Sequence, residues 1–168
     1  ESWDQGTAIL NTLAPEFEHD KERLLDSGLA NALGLQMRSA RDVYQFYALR
    51  EALPFKTPEE QKADLQTMRK LVQAEIETSR ELKTLAENDS RLGFHSEAEG
   101  YKYFPAKLEW RAKGLDTLLR EDFPKVEKMI EEATPLFPEY TGEKPEGKIH
   151  HCPNDPSESK WVSMEGGS

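Results

Sequence analysis

Between Asn88 and Pro105 the chain gathers Asp89, Arg91, Phe94, His95, Glu97, Glu99, Tyr101, Tyr103 and Phe104 around Gly93 and Gly100. Two facing carboxylates can cleave a glycosidic bond when about 5–10 Å separates them, one protonating the leaving oxygen and the other acting as base or nucleophile. Asp89, Glu97 and Glu99 are the candidates for such a pair, and Glu97 and Glu99 lie two apart, so in extended backbone their side chains share a face. His95 beside them, or His150-His151-Cys152 further on, offers metal-ligating residue types. The rings of Tyr101 and Tyr103 are planar and amphipathic, suited to stacking against a sugar.

Each of these has a plainer alternative. Glutamate is abundant throughout the chain, so a solvated or salt-bridged role for Glu97 and Glu99 is favoured over catalysis. Asp89 and Arg91 are expected to hold the segment by pairing with each other or with backbone amides, since an aspartate readily bonds the backbone two residues on. Phe94 and Phe104 are expected to plug one end of a helical core, leaving Tyr101 and Tyr103 as the exposed rings. Zinc needs at least three convergent ligands, commonly spaced two to four apart, and adjacent histidines diverge in extended chain. No metal and no cofactor is therefore expected. The candidate binding residues are Asp89, Arg91, His95, Glu97, Glu99, Tyr101 and Tyr103, with no catalytic residue assigned. A Gly-rich phosphate loop, Walker lysine, Ser-centred elbow, HExxH and CxxC are all missing from the sequence.

Helices must position this segment. Residues 3–25 place Ile9, Leu10, Leu13, Phe17, Leu24 and Leu25 near helical spacing, with Pro15 as an interruption. Asp26-Ser27-Gly28 reads as a stop and restart, Gly28 capping one helix and Ser27 opening the next. A second helix over 29–53 presents Leu29, Leu33, Met37, Ala40, Tyr44 and Tyr47 on one broad face, flanked by Phe46. Thr57-Pro58-Glu59-Glu60 is a capping box with proline at the first helical position. The third helix then runs to about residue 87 with Leu65, Met68, Val72, Ile76, Ser79, Leu82 and Ala86 three or four apart. A fourth begins near Pro105 and carries Leu108, Arg111, Leu115, Leu118 and Leu119, and Asp122-Phe123-Pro124 is expected to break it, with Pro124 restarting a short helix through Val126, Met129 and Ile130. Residues 134–168 hold five prolines and four glycines without apolar periodicity, an extended tail anchored by Phe137, Tyr140, Ile149, Trp161 and Met164.

Composition excludes several partners. The net charge of −10 disfavours nucleic acid, whose phosphates need a cationic face. It also disfavours anionic lipid. A run of about 18 apolar residues is nowhere present, so no membrane span is expected. Cys152 is the one cysteine and can form no internal disulfide. Opening on Glu1 points to a processed protein or a piece of a longer one.

The run from Ser39 to Arg50, SARDVYQFYALR, together with Glu75-Ile76, the run from Asn88 to Glu97, NDSRLGFHSE, and Gly100-Tyr101 resembles α-glucuronidase-like, uncharacterised glycoside-hydrolase-related proteins of bacterial glycan-utilisation systems. It is similar to the helical region that follows the barrel there. The resemblance, which spans residues 3–130, implies an exported protein, periplasmic or extracellular, whose reaction sits on a separate catalytic barrel domain. It implies that residues 89–103 face carbohydrate or that partner domain. This chain lacks the βα alternation of a barrel.

The fold is therefore expected to be all-α: an antiparallel up-down bundle of four long helices plus a short one over 1–133, with an irregular tail over 134–168. The expected function is a non-catalytic helical accessory module of a carbohydrate-processing protein, working through the 89–103 segment. Two rivals are a small hydrolase using Glu97, Glu99 and His95, and a purely structural assembly module.

Overall fold

The computed structural model describes residues 2–95, 100–101 and 103–137. The protein is all-α. Helix α1 (Ser2–Leu13) leads through a 3-10 turn (Ala14–Phe17) to α2 (Lys21–Ala52), and a second turn (Leu53–Phe55) leads to α3 (Pro58–Asn88). A third turn (Ser90–Gly93) opens a two-residue-per-strand hairpin, β1 (Phe94–His95) and β2 (Gly100–Tyr101). Then come α4 (Pro105–Thr117), a π-helical turn (Leu118–Asp122) and α5 (Phe123–Glu131).

Local chemistry sets the helix ends. Thr57 Oγ1 accepts from the Glu60 amide and Glu60 Oε2 accepts from the Thr57 amide, the reciprocal cap expected at α3. Pro15 sits in the 3-10 turn that ends α1, as its missing amide requires. The expected stop at Asp26-Ser27-Gly28 does not occur. Asp20 accepts from the Arg23 amide and opens α2 earlier, so all three residues lie inside one 32-residue helix. Propensity alone cannot halt a helix whose packing continues on both sides of a glycine.

Contacting residues descend on one helix as they rise on the next. Gly28 meets Leu85, Ser39 meets Glu75, and the Leu53 carbonyl accepts from Gln61 across α2 and α3. Lys83 faces Glu109, Glu75 meets Arg111, and Arg69 meets Glu127 across α3 and the helices after it. Helix α3 thus lies between its neighbours. Its buried positions Leu65, Met68, Val72, Glu75, Ser79, Leu82 and Ala86 alternate three and four apart, the seam of closely aligned helices.

Helix α2 answers with Ala32, Leu35, Ser39, Asp42, Phe46 and Leu49, and the turn after it with Leu53, at the same spacing and buried or half-buried throughout. This inverts the expected face. Leu29, Leu33, Met37, Tyr44 and Tyr47 point to solvent, Tyr44 with 83% of its surface exposed. The larger apolar residues line one face, but the inward stripe is the one whose small and polar members, Gly28, Ser39 and Asp42, fit against α3 and α4.

At the C-terminal end the short helix α5 starts as expected, with Pro124 in its first turn where the missing amide is not needed. The expected break before it takes the form of a π turn rather than a full stop. The extra residue also rotates the stripe. Leu108, Arg111, Leu115 and Leu118 would be followed by Asp122, Lys125 and Met129 at constant spacing. With the widened turn, Phe123, Val126 and Ile130 face the core in place of Asp122 and Lys125, and Met129 packs half-buried against it. Ala133, at φ 50°, then closes α5: its amide reaches the Ile130 carbonyl and the Thr134 amide reaches that of Met129. Leu136 is buried and Phe137 packs beside it on the core, as expected of one tail anchor. The other four, Tyr140, Ile149, Trp161 and Met164, lie outside the described residues.

Candidate functional site

The segment singled out by its residue types begins as a built turn. Asp89 caps α3, accepts from the Arg91 amide at 3.0 Å, and receives the Arg91 guanidinium through Nε and Nη2 at 2.9 and 2.7 Å. Those hydrogen bonds hold the Asp89 carboxyl below its usual range and push the Arg91 guanidinium up. Both groups are spent on each other, as expected. The hairpin that follows pairs Phe94 with Tyr101 and His95 with Gly100. Its backbone brings His95 and Tyr101 to opposite strands. Glu97 and Glu99 lie outside the described residues, as do His150, His151 and Cys152.

Two aromatic expectations exchange places. Tyr103 is half-buried and packs with Leu85 and Leu92 on the core cluster built from Ala32, Leu35, Leu82, Ala86 and Leu108. Phe104, expected as a plug, caps α4 with 42% of its surface exposed. The proline at position 105 fixes that reversal: it starts α4 and leaves the preceding residue extended, outside the helical packing.

A second constellation was not read as chemistry from sequence. Ser39 and Asp42 on α2, Glu75 on α3 and Arg111 on α4 converge at mid-height of the three helices. The Arg111 Nη2 lies 2.7 Å from Glu75 Oε1 and 3.3 Å from Ser39 Oγ, and the Ser39 hydroxyl donates to the same Glu75 oxygen at 2.8 Å. Glu75 is 5% exposed, and burial pushes its carboxyl above the usual range against the pull of Arg111 and Ser39. Its other oxygen, Oε2, is shut from solvent and has no partner among the described residues. Asp42, 3% exposed, is met by Arg41 from the solvent side at 2.6 Å. A cleft of about 370 Å³ opens beside this group, walled by Val43, Phe46, Tyr47, Leu71 and Leu115. The sequence held one signal for it: polar residues at 39, 42, 75 and 111, each in the inward frame of its helix. That signal is readable only once the frame of α2 is known.

The third feature is the face of α1 and α2 that the described residues leave uncovered. Trp3, Ile9, Leu10, Leu29 and Leu33 line an open groove of about 640 Å³, and Leu13, Phe17, Leu24 and Met37 extend the apolar surface around it. Around the junction of α1 and α2 acidic residues outnumber basic ones, Glu16, Glu18, Asp20, Glu22 and Asp26 against Lys21 and Arg23, while Asp4 in the first turn of α1 is held by Arg38.

Among the described residues no group of three His, Cys, Asp or Glu side chains could hold a metal ion, and no helix is long and apolar enough to cross a membrane. No protein-family model, curated protein or solved structure matches the chain. The resemblance to α-glucuronidase-like proteins therefore rests on the residues quoted for it.

Proposed function

We propose that the chain is a non-catalytic helical accessory module that docks a partner protein through the α1–α2 face. One observation carries this reading: a run of large apolar side chains, Ile9 at 62% and Met37 at 57% exposure among them, stands uncovered by the described residues on two adjacent helices. Contiguous apolar surface of that kind is costly to leave in water and usually marks an interaction site. The groove suits a helix that inserts residues three and four apart. The acidic rim selects a basic one, since opposite charges around an apolar strip raise the association rate and reject acidic competitors. The occupant is thus a basic amphipathic helix of a partner, which a catalytic domain could supply.

Fluorescence-anisotropy titration of the full chain with a labelled Leu/Lys amphipathic peptide tests this, with a Leu/Glu peptide as control. Salt-sensitive binding of the basic peptide alone, abolished by Ile9→Glu and by Leu29→Glu, is expected. Equal binding of both peptides, or indifference to both substitutions, would sink the proposal.

Carbohydrate contact at 89–103 and the adjoining Phe104 is a second reading, favoured by the exposed ring of that phenylalanine. Calorimetry with oligosaccharides decides it. A heat signal lost in Phe104→Ala supports it, and no heat removes it.

A further inference from the structure

We propose that the cleft between α2, α3 and α4 is a binding site for a small organic amine carried on an apolar body, with the Glu75 carboxylate as its anchor. This inference stands apart from the docking of a partner on the α1–α2 face, whose α2 residues Leu29 and Leu33 lie ten or more residues before the Val43 and Tyr47 of the cleft.

The walls and the floor ask for different things. Val43, Phe46, Tyr47, Leu71 and Leu115 supply apolar and aromatic surface, and about 370 Å³ matches the lower range of small-ligand sites. Val43 and Tyr47 are 37% and 50% exposed, so the mouth opens on solvent. At the floor stand two carboxylates, Asp42 and Glu75, and one guanidinium, Arg111. Arg111 and Ser39 both satisfy Glu75 Oε1, and nothing described satisfies Oε2.

A buried carboxylate oxygen without a donor is expensive, and native structures rarely tolerate one without a reason. The missing partner must donate, and since Oε2 is shut from solvent, it reaches that oxygen only as the side chains over it part. A hydroxyl or amide would do so, but a cation is preferred for two reasons. A charge-assisted hydrogen bond is about twice as strong as a neutral one. An ammonium beside Glu75 also offsets the second carboxylate, Asp42, whose own partner Arg41 stays 61% exposed and is largely screened by water. The Tyr47 ring at the mouth adds a face that attracts cations, as it already does for the Arg50 guanidinium 4.6 Å from its centroid. Anionic ligands are excluded by the same pair of carboxylates.

The probes are three molecules of one shape: phenethylamine, phenethyl alcohol and 3-phenylpropanoate. Calorimetric titration of the full chain at neutral pH should rank them in that order, with the carboxylate silent. Glu75→Gln keeps the volume and one acceptor oxygen, and should weaken the amine about tenfold or more while leaving the alcohol nearly unchanged, the difference between a charged and a neutral partner. Should Glu75→Gln fail to fold, Val43→Trp decides, because it fills the mouth from an exposed position of α2 and touches none of the polar group. Loss of amine binding in Val43→Trp supports the site. Equal affinity for all three probes, no binding of the amine, or an amine affinity untouched by either substitution overturns it.

Discussion

The indole of Trp3 fills the space over Gly34 that a side chain there would need: a β-carbon on Gly34 would lie 2.8 Å from Trp3 Nε1 and 3.1 Å from Thr7 Cγ2. Gly34 is thus the position at which α1 seats on α2, reinforced by Arg38 reaching Asp4 at 3.3 Å and by the reciprocal Asn11–Asn31 amide pair. Gly28, six residues earlier, is different, since a β-carbon there would meet only Leu85 at 4.0 Å.

Gly34→Ala should therefore lift α1 without unfolding α2, because alanine favours the helix by about 1 kcal/mol while its methyl displaces Trp3. Hydrogen exchange should speed up in α1 amides and leave α3 unchanged. Gly28→Ala should raise global stability by about 1 kcal/mol and leave α1 protection as it was. Equal protection of α1 in both variants would refute the seating.

Arg111 neutralises a carboxylate that Ser39 alone cannot. Arg111→Met should cost roughly 3 kcal/mol, the low end of the penalty for stranding a buried charge, since Arg111 is itself 30% exposed. The double variant Glu75→Leu/Arg111→Met should recover most of that loss, as apolar replacements of buried ion pairs commonly do. Urea denaturation measures both. A double variant less stable than the single would show that the pair contributes more than it costs.

Glu75 and Asp89 should respond to acid in opposite senses. Burial raises Glu75 from its ordinary 4.5, so its contribution is fully present below 4.5 and is lost as pH rises through the raised value. Hydrogen bonds from Arg91 lower Asp89 from its ordinary 3.8, so its contribution is present above 3.8 and is lost as pH falls through the lowered value. From neutral pH down to 4.5, the wild type should gain stability relative to Glu75→Gln. Below 3.8 it should lose stability relative to Asp89→Asn. Thermal melts of the three proteins across that range check both signs, and parallel curves would contradict them.

Ala133 closes α5 in a left-handed conformation that glycine adopts without cost. Ala133→Gly should stabilise the chain by about 1 kcal/mol, the typical gain when the backbone is already in that region. Chemical denaturation giving a loss instead would mean that the cap is not held in solution.

The helices and several of their ends were legible because their causes are local. The Thr57–Glu60 cap, the interruption at Pro15 and the α3 stripe from Leu65 to Ala86 each depend on neighbours within one or two turns. So does the turn at Asp89, whose acceptor and donor stand two residues apart. The hairpin was less visible, because two residues per strand show no alternation to read.

Which side of α2 faces inward was not a local question. Leu29, Leu33 and Met37 form the more apolar stripe, yet Ala32, Leu35 and Ser39 are buried, because α3 approaches along the side where small residues let it in and Glu75 and Arg111 can complete Ser39. The π turn before Pro124 is of the same kind, a single inserted residue that turns Phe123 and Ile130 inward. Sequence determined where this chain is helical. The packing of three helices decided which polar residues meet, since side chains 36 and 72 positions apart become neighbours only when a specific pair of faces is pressed together.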